Sequence, residues 1–213
     1  MNDGIKYIFM LGRPGCGKSY LYNNVFVPSL GRIGIKEIDR IDDFPILKEL
    51  LDRDSGFRRH VRKDGGFQVT DWTIIDDVLK EMDIRLVENY IEGEVIVAEF
   101  ARSDYACALK NFTDQVKEES LLVYIWAPFE TCIKSNRERY DENGKPDNHI
   151  VPEDLMNTYY RTDDIEKLFL EGDKAPMSEF KGWKMMIFDN SDRQMSPEEK
   201  QEKFGRALEG YRL

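Results

Sequence analysis

The octet Gly12-Arg13-Pro14-Gly15-Cys16-Gly17-Lys18-Ser19 constrains this chain more than any other segment, because it satisfies the pattern GxxxxGK[ST] at every position. It stands between an apolar run, residues 6–11 (KYIFML), which reads as a buried strand, and Tyr20-Leu21-Tyr22-Asn23-Asn24, which suits a helix. Glycines let such a loop wrap closely, so that successive backbone N–H groups point at an anion, and the helix start adds partial positive charge. Lys18 would then reach the β- and γ-phosphates of ATP or another nucleoside triphosphate, and the Ser19 hydroxyl would hold Mg2+. Gly12 through Ser19, with Tyr20 at the helix start, form the expected nucleotide-binding set.

The rest of the chain alternates in the way such a loop requires. Residues 35–38, 94–100 (EVIVAEF), 121–127 (LLVYIWA) and 183–189 (WKMMIFD) read as further strands, apolar throughout as in a sheet covered on both faces. Between them, Ile75, Val78, Leu79, Met82, Leu86 and Tyr90 recur at helical spacing behind a cap at Thr70 or Asp71, and Gly93 ends that helix. Residues 129–139 predict a second helix, stopped by Asp141-Glu142-Asn143-Gly144-Lys145-Pro146. Pro152-Glu153-Asp154 opens a third, and Ser196-Pro197 opens the last with a serine cap and proline at the first helical position. This alternation predicts an α/β protein with a parallel sheet between helices, one domain over residues 1–213.

Glu99 closes an apolar strand, and the C-terminal edge of a parallel sheet is where ligands bind. A carboxylate there can orient the waters of a magnesium ion or accept a proton from an attacking hydroxyl; both roles are open, so Glu99 is a candidate for metal binding and for catalysis. Arg102 follows as a candidate ligand for an acceptor's phosphate.

These features together resemble the nucleoside and nucleotide kinases of the adenylate-kinase-like P-loop group. Val123-Tyr124-Ile125-Trp126-Ala127-Pro128-Phe129-Glu130 is similar to their fourth strand and following helix, Asn136-Arg137-Glu138-Arg139 to the arginine-bearing start of their lid, and Ile187-Phe188-Asp189-Asn190-Ser191 to their fifth strand and base-contacting loop. His149-Ile150-Val151-Pro152-Glu153 resembles the passage from lid to helix in polynucleotide-kinase-like proteins. The resemblance implies a three-layer fold with a five-stranded parallel sheet in the order 2-3-1-4-5 and a lid over about residues 137–152. It implies an acceptor-binding region over about residues 39–92, a base contact at Asn190, and catalytic roles for Lys18, Arg137 and Arg139. The chain has Glu99-Phe100-Ala101-Arg102 where adenylate kinases carry Asp-Gly-Phe-Pro-Arg and deoxynucleoside kinases Glu-Arg-Ser, so the acceptor of neither carries over.

The acceptor region has its own character. Asp39, Asp42 and Asp43 follow the second strand, with Asp39 a candidate to orient an acceptor hydroxyl. Arg58, Arg59 and Arg62 form a basic cluster suited to an acceptor already carrying phosphate, with Phe57 and Phe67 as candidate pocket walls.

Composition narrows the partners. With 41 acidic and 31 basic residues the formal charge is −10, which disfavours a broad nucleic-acid footprint. No apolar run reaches membrane-helix length, and the start lacks a signal-peptide pattern. Three scattered cysteines (Cys16, Cys107, Cys132) suggest neither a disulfide framework nor a zinc site, so a reduced, cytoplasmic protein is expected. The expected activity is ATP-dependent phosphoryl transfer to a small acceptor, a nucleoside, nucleotide or related metabolite. The alternatives are a non-catalytic or slowly hydrolysing ATP-binding switch and a polynucleotide 5′-kinase.

Overall fold

The apolar run ahead of the glycine-rich loop forms β1 (Tyr7–Leu11), buried at every residue. This is a computed structural model, and it describes residues 4–63, 66–143 and 151–211. Beyond the loop, α1 (Lys18–Leu21) continues through a π-helical turn (Tyr22–Phe26) into α2 (Val27–Arg32). Pro28 cannot donate a helical hydrogen bond, and the wider turn ends beside it. Next come β2 (Ile38–Asp42) and α3 (Asp43–Arg53), whose cap Asp42 accepts from the Phe44 N–H at 2.9 Å. An antiparallel hairpin, β3 (His60–Lys63) and β4 (Gly66–Val69), leads to α4 (Ile74–Asn89). The chain continues through β5 (Val95–Glu99), α5 (Tyr105–Ala108), α6 (Asp114–Glu118), β6 (Ser120–Trp126), α7 (Phe129–Asn143), α8 (Glu153–Thr158) and α9 (Asp164–Glu171). It closes with β7 (Glu179–Phe180), β8 (Trp183–Asp189) and α10 (Pro197–Leu208). Ser196 caps α10 and Pro197 stands at its first position, as predicted, and Glu199 completes a capping box.

The main sheet runs β2-β5-β1-β6-β8-β7. Its parallel strands, numbered among themselves, keep the order 2-3-1-4-5; β7 adds a short antiparallel edge, so the sheet has six strands rather than five. Alternation along β1 splits the core in two. Tyr7, Phe9 and Leu11 pack with Val78, Leu79, Met82 and Leu86 of α4, while Ile8 and Met10 pack with Leu21, Val25, Phe26, Phe204 and Leu208. Phe9 meets Phe112 edge-on at 4.9 Å between ring centroids, and Phe26 stacks on Phe204 at 4.1 Å. Burying each such side chain contributes about 1.5–3 kcal/mol, so the two aromatic clusters clamp helices to both faces.

Some boundaries differ from the sequence reading. The second strand is Ile38–Asp42, not residues 35–38, because an edge strand half open to solvent tolerates the charged alternation Ile-Asp-Arg-Ile-Asp. The α4 helix begins at Ile74 rather than after Thr70 or Asp71; the Asp71 carboxylate accepts from the Thr73 N–H at 3.0 Å in a turn that precedes it. The α7 helix runs on through Asp141 to Asn143.

Candidate functional site

The glycine-rich loop leaves β1 at the C-terminal edge of the sheet. Gly12 (φ 133°), Gly15 (φ 79°) and Gly17 (φ 99°) all lie in the left-handed region, and a Cβ on Gly12 would stand 2.6 Å from the Ile125 carbonyl oxygen. Distant side chains fix the loop. The Gly12 N–H donates to the Tyr105 hydroxyl at 2.9 Å, Asn190 Nδ2 donates to the Cys16 carbonyl at 2.8 Å, and Arg193 Nη2 donates to the Gly15 carbonyl at 3.3 Å. Lys18 Nζ donates to the carbonyls of Gly12 at 2.8 Å and Arg13 at 3.2 Å, which holds the ammonium over the loop. Pro14 and Tyr20 are more open, and the Tyr20 ring lies 5.4 Å from Lys200 Nζ.

Arg13 turns away from the loop's concave side. Its guanidinium is buried in an ion pair with Glu166 of α9, and Glu166 also accepts from Trp126 Nε1 at 3.2 Å. Asp163, the cap of α9, accepts from the Tyr124 hydroxyl at 2.6 Å and from the Glu166 N–H at 2.8 Å. Burial pushes its carboxyl up to about 6, against the hydrogen bonds from Tyr124 and Glu166. A carboxyl whose native value is raised holds its proton more tightly folded than unfolded, so stability is full below the unfolded value. It falls as pH rises toward about 6. Asp163→Asn, whose Oδ1 can still accept from the Glu166 N–H while its Nδ2 donates to the Tyr124 hydroxyl oxygen, is expected to remove this part of the pH dependence, up to about 3 kcal/mol. Thermal melts of both proteins from pH 4 to 8 check it: the wild type should lose stability relative to the variant on going from pH 4 to 6.

At the ends of β2 and β5 a polar corner faces the loop. Asp42 and Glu99 are register partners, and Glu99 is itself paired with Met10 of β1. Glu99 Oε1 lies 3.9 Å from Lys18 Nζ, and Glu99 Oε2 accepts from Arg40 Nη2 at 2.5 Å. Burial raises the Glu99 carboxyl above the ordinary range, while Lys18 and then Arg40 pull it back. Ser19 Oγ accepts from the same Arg40 nitrogen at 3.4 Å. The Ser19 hydroxyl and Glu99 carboxylate thus converge on one cationic atom, and this hard-oxygen pair fits a magnesium ion. Among the described residues no group of three or more His, Cys, Asp or Glu side chains could hold a metal, so such an ion would take its remaining ligands from phosphate and water.

The acceptor candidates divide. Asp39 is exposed in the middle of β2, and Asp42 and Asp43 stand at the sheet edge instead. Asp43 Oδ2 accepts from Arg102 Nη1 at 2.7 Å, and burial raises the Asp43 carboxyl against that pairing. Arg102 is 7% exposed, and its Nε and Nη2 have no hydrogen-bond partner among the described residues. Beside it, Tyr160 is pushed above the usual tyrosine range by burial, and Tyr159 stacks against the exposed Trp72 at 6.1 Å. In the basic cluster, Arg59 is engaged with Asp77 at 2.8 Å, Thr73 at 2.9 Å and Asp71 at 3.5 Å. Arg58 is exposed, and so is Arg62, which lies 5.4 Å from the Phe57 ring.

An open cleft of about 610 Å³ runs between Glu130, Thr131, Lys134 and Glu138 of α7 and Arg193, which also braces the loop at Gly15. Asn190, 1% exposed, lies beneath the loop and not in that cleft. Arg137 is exposed and pairs with Glu153. The Arg139 side chain and residues 144–150, His149 among them, lie outside the described residues. Sequence reasoning missed Tyr105, Arg193, Arg40 and the Glu166 partner of Arg13. Only Arg40 carried a local signal, the alternation of Ile38-Asp39-Arg40-Ile41.

The fold and this loop define the chain's architecture as that of the P-loop kinases. Its sequence matches no protein-family model and no curated protein. Solved structures agree over nearly the whole length at low identity. Kti12 of Chaetomium thermophilum, in complex with ADP-AlF3, superposes with a TM-score of 0.59 at 12% identity, covering 97% of this chain and 99% of its own. A sugar kinase from a Janibacter species gives 0.51 at 13%, covering 96% and 93%. The APS kinase of Mycobacterium tuberculosis, in complex with AMPPNP and APS, gives 0.50 at 17%, covering 97% and 98%. Among the described residues no helix is long and apolar enough to cross a membrane.

Proposed function

We propose that this chain is an ATP-dependent phosphotransferase that moves the γ-phosphoryl group to a small acceptor carrying an anionic group. The observation that carries this reading is Arg102, buried beside Asp43 with two guanidinium nitrogens that have no hydrogen-bond partner among the described residues. A buried cation left half-paired is costly, and an acceptor phosphate, sulfate or carboxylate would complete it.

The loop N–H groups and Lys18 bind the triphosphate. The base lies in the cleft between α7 and Arg193, where the exposed stretch after Asn190, rather than Asn190 itself, meets it. Ser19 and Glu99 would hold Mg2+, which would supply charge neutralisation for the transferred group. Asp43, raised by burial and oriented by Arg102, aligns the acceptor's nucleophilic oxygen in place of Asp39, which is exposed along β2. Arg137 and Arg139, on the helix entering the lid, supply positive charge to the transferred group once the Arg137–Glu153 pair opens.

The structures it superposes on include a sugar kinase and an APS kinase, which supports a small acceptor. The test is ATP turnover with and without pooled nucleosides, nucleotides, sugar phosphates and small organic acids. The expected result is stimulation by an anionic pool, with label from the γ-position recovered on the acceptor. A slow rate indifferent to every pool would replace the transferase with a nucleotide-binding switch.

A further inference from the structure

Arg40 comes from the edge strand β2, yet its side chain ends in the heart of the site. A single nitrogen, Nη2, touches oxygens from three segments: Glu99 Oε2 at 2.5 Å, Ser19 Oγ at 3.4 Å and Asp42 Oδ2 at 3.4 Å. Its Nε is buried without a hydrogen-bond partner among the described residues, so the contacts are concentrated at the far end of the guanidinium. The group lies 5.0 Å from the Tyr22 ring, and the side chain is 26% exposed, which leaves it a path toward solvent.

The oxygens it touches include the two assigned above to magnesium. A divalent ion approaches such oxygens at about 2.0–2.1 Å and needs their lone pairs. The same lone pairs are those that Nη2 engages, and two cations packed into one corner repel strongly at low dielectric. Arg40 and the metal therefore exclude each other there.

We propose that Arg40 is a specificity-determining residue of this corner: a tethered cation that competes with the divalent ion for Ser19 and Glu99. It sets the metal concentration at which the nucleotide complex takes up its ion. Without metal it keeps the two oxygens together, and on metal binding the guanidinium swings out along the Tyr22 face. The inference rests on the P-loop reading of the nucleotide site.

The test uses the full chain with ADP and Mn2+, following free Mn2+ by its electron paramagnetic resonance signal, and first measures ADP affinity in EDTA. Arg40→Met is expected to tighten Mn2+ binding to the ADP complex about tenfold, the scale of a lost charge-assisted contact. Arg40→Gln carries the same expectation, so a folding defect in the methionine variant does not decide the matter. Arg40→Lys, which keeps the charge, should stay within about threefold of wild type. Mn2+ affinity unchanged or weakened in both neutral variants, with ADP still bound in EDTA, overturns the inference alone. Failure of the wild type to bind ADP at all overturns the P-loop reading and this inference with it.

Discussion

Lys18→Ala is expected to lower ATP turnover by about 10²–10³-fold, the scale seen when a preorganised charge-stabilising donor is removed. It should also weaken triphosphate binding about 10–100-fold, as the loss of a charged hydrogen bond predicts. In the structure Lys18 is buried, donates to two loop carbonyls and lies 3.9 Å from Glu99, which fixes its ammonium at the loop. The alanine variant should still fold, because Asn190, Arg193 and Tyr105 hold the loop from other sides. Binding of a fluorescent ATP analogue, together with a thermal melt, separates the two effects. Full binding and turnover in a folded Lys18→Ala protein would remove the phosphate-gripping role of the loop.

Glu99→Gln is the second large effect, and it tests mechanism rather than grip. Glu99 is engaged by Arg40, lies near Lys18 and stands across from the Ser19 hydroxyl, a setting that suits a metal ligand more than a free base. The variant is therefore expected to lose about 10²-fold in single-turnover rate at low magnesium, with much of the rate returning at high magnesium, as for a weakened metal site. Glutamine keeps the shape and an acceptor for Arg40, and a thermal melt of the variant separates any loss of fold from the loss of rate. A uniform loss of about 10²–10⁴-fold at every magnesium concentration would instead assign Glu99 as general base. A rate unchanged throughout would leave it without a role.

The parts of this molecule that were legible in the sequence are those whose signal is local. The octet at Gly12, the apolar strands at Tyr7, Val95, Ser120 and Trp183, and the Ser196-Pro197 cap each declare themselves within a few residues. Buried strands read clearly because both of their faces need apolar side chains. The edge strand β2 did not, because Asp39 and Arg40 alternate with isoleucines; a strand that runs to Asp42 puts Asp42, not Asp39, at its end opposite Glu99. The strands His60–Lys63 and Gly66–Val69 carry a charge cluster in sequence that hides their pairing, and only the ion pairs show that Arg59 is committed to Asp77 and Asp71. The braces of the loop were invisible for a simpler reason. Tyr105, Glu166 and Asn190 reach it across 93, 153 and 174 residues of chain, a separation that leaves no periodicity to detect.

The central claim is that residues Gly12 to Ser19 bind a triphosphate, and calorimetric titration of the non-hydrolysable analogue AMPPNP with Mg2+ tests it most directly. The account predicts saturable binding at one site, competed by ADP and inorganic triphosphate and sharply weakened in Lys18→Ala. Absence of binding to the wild type, or binding equal in the two proteins, would contradict it.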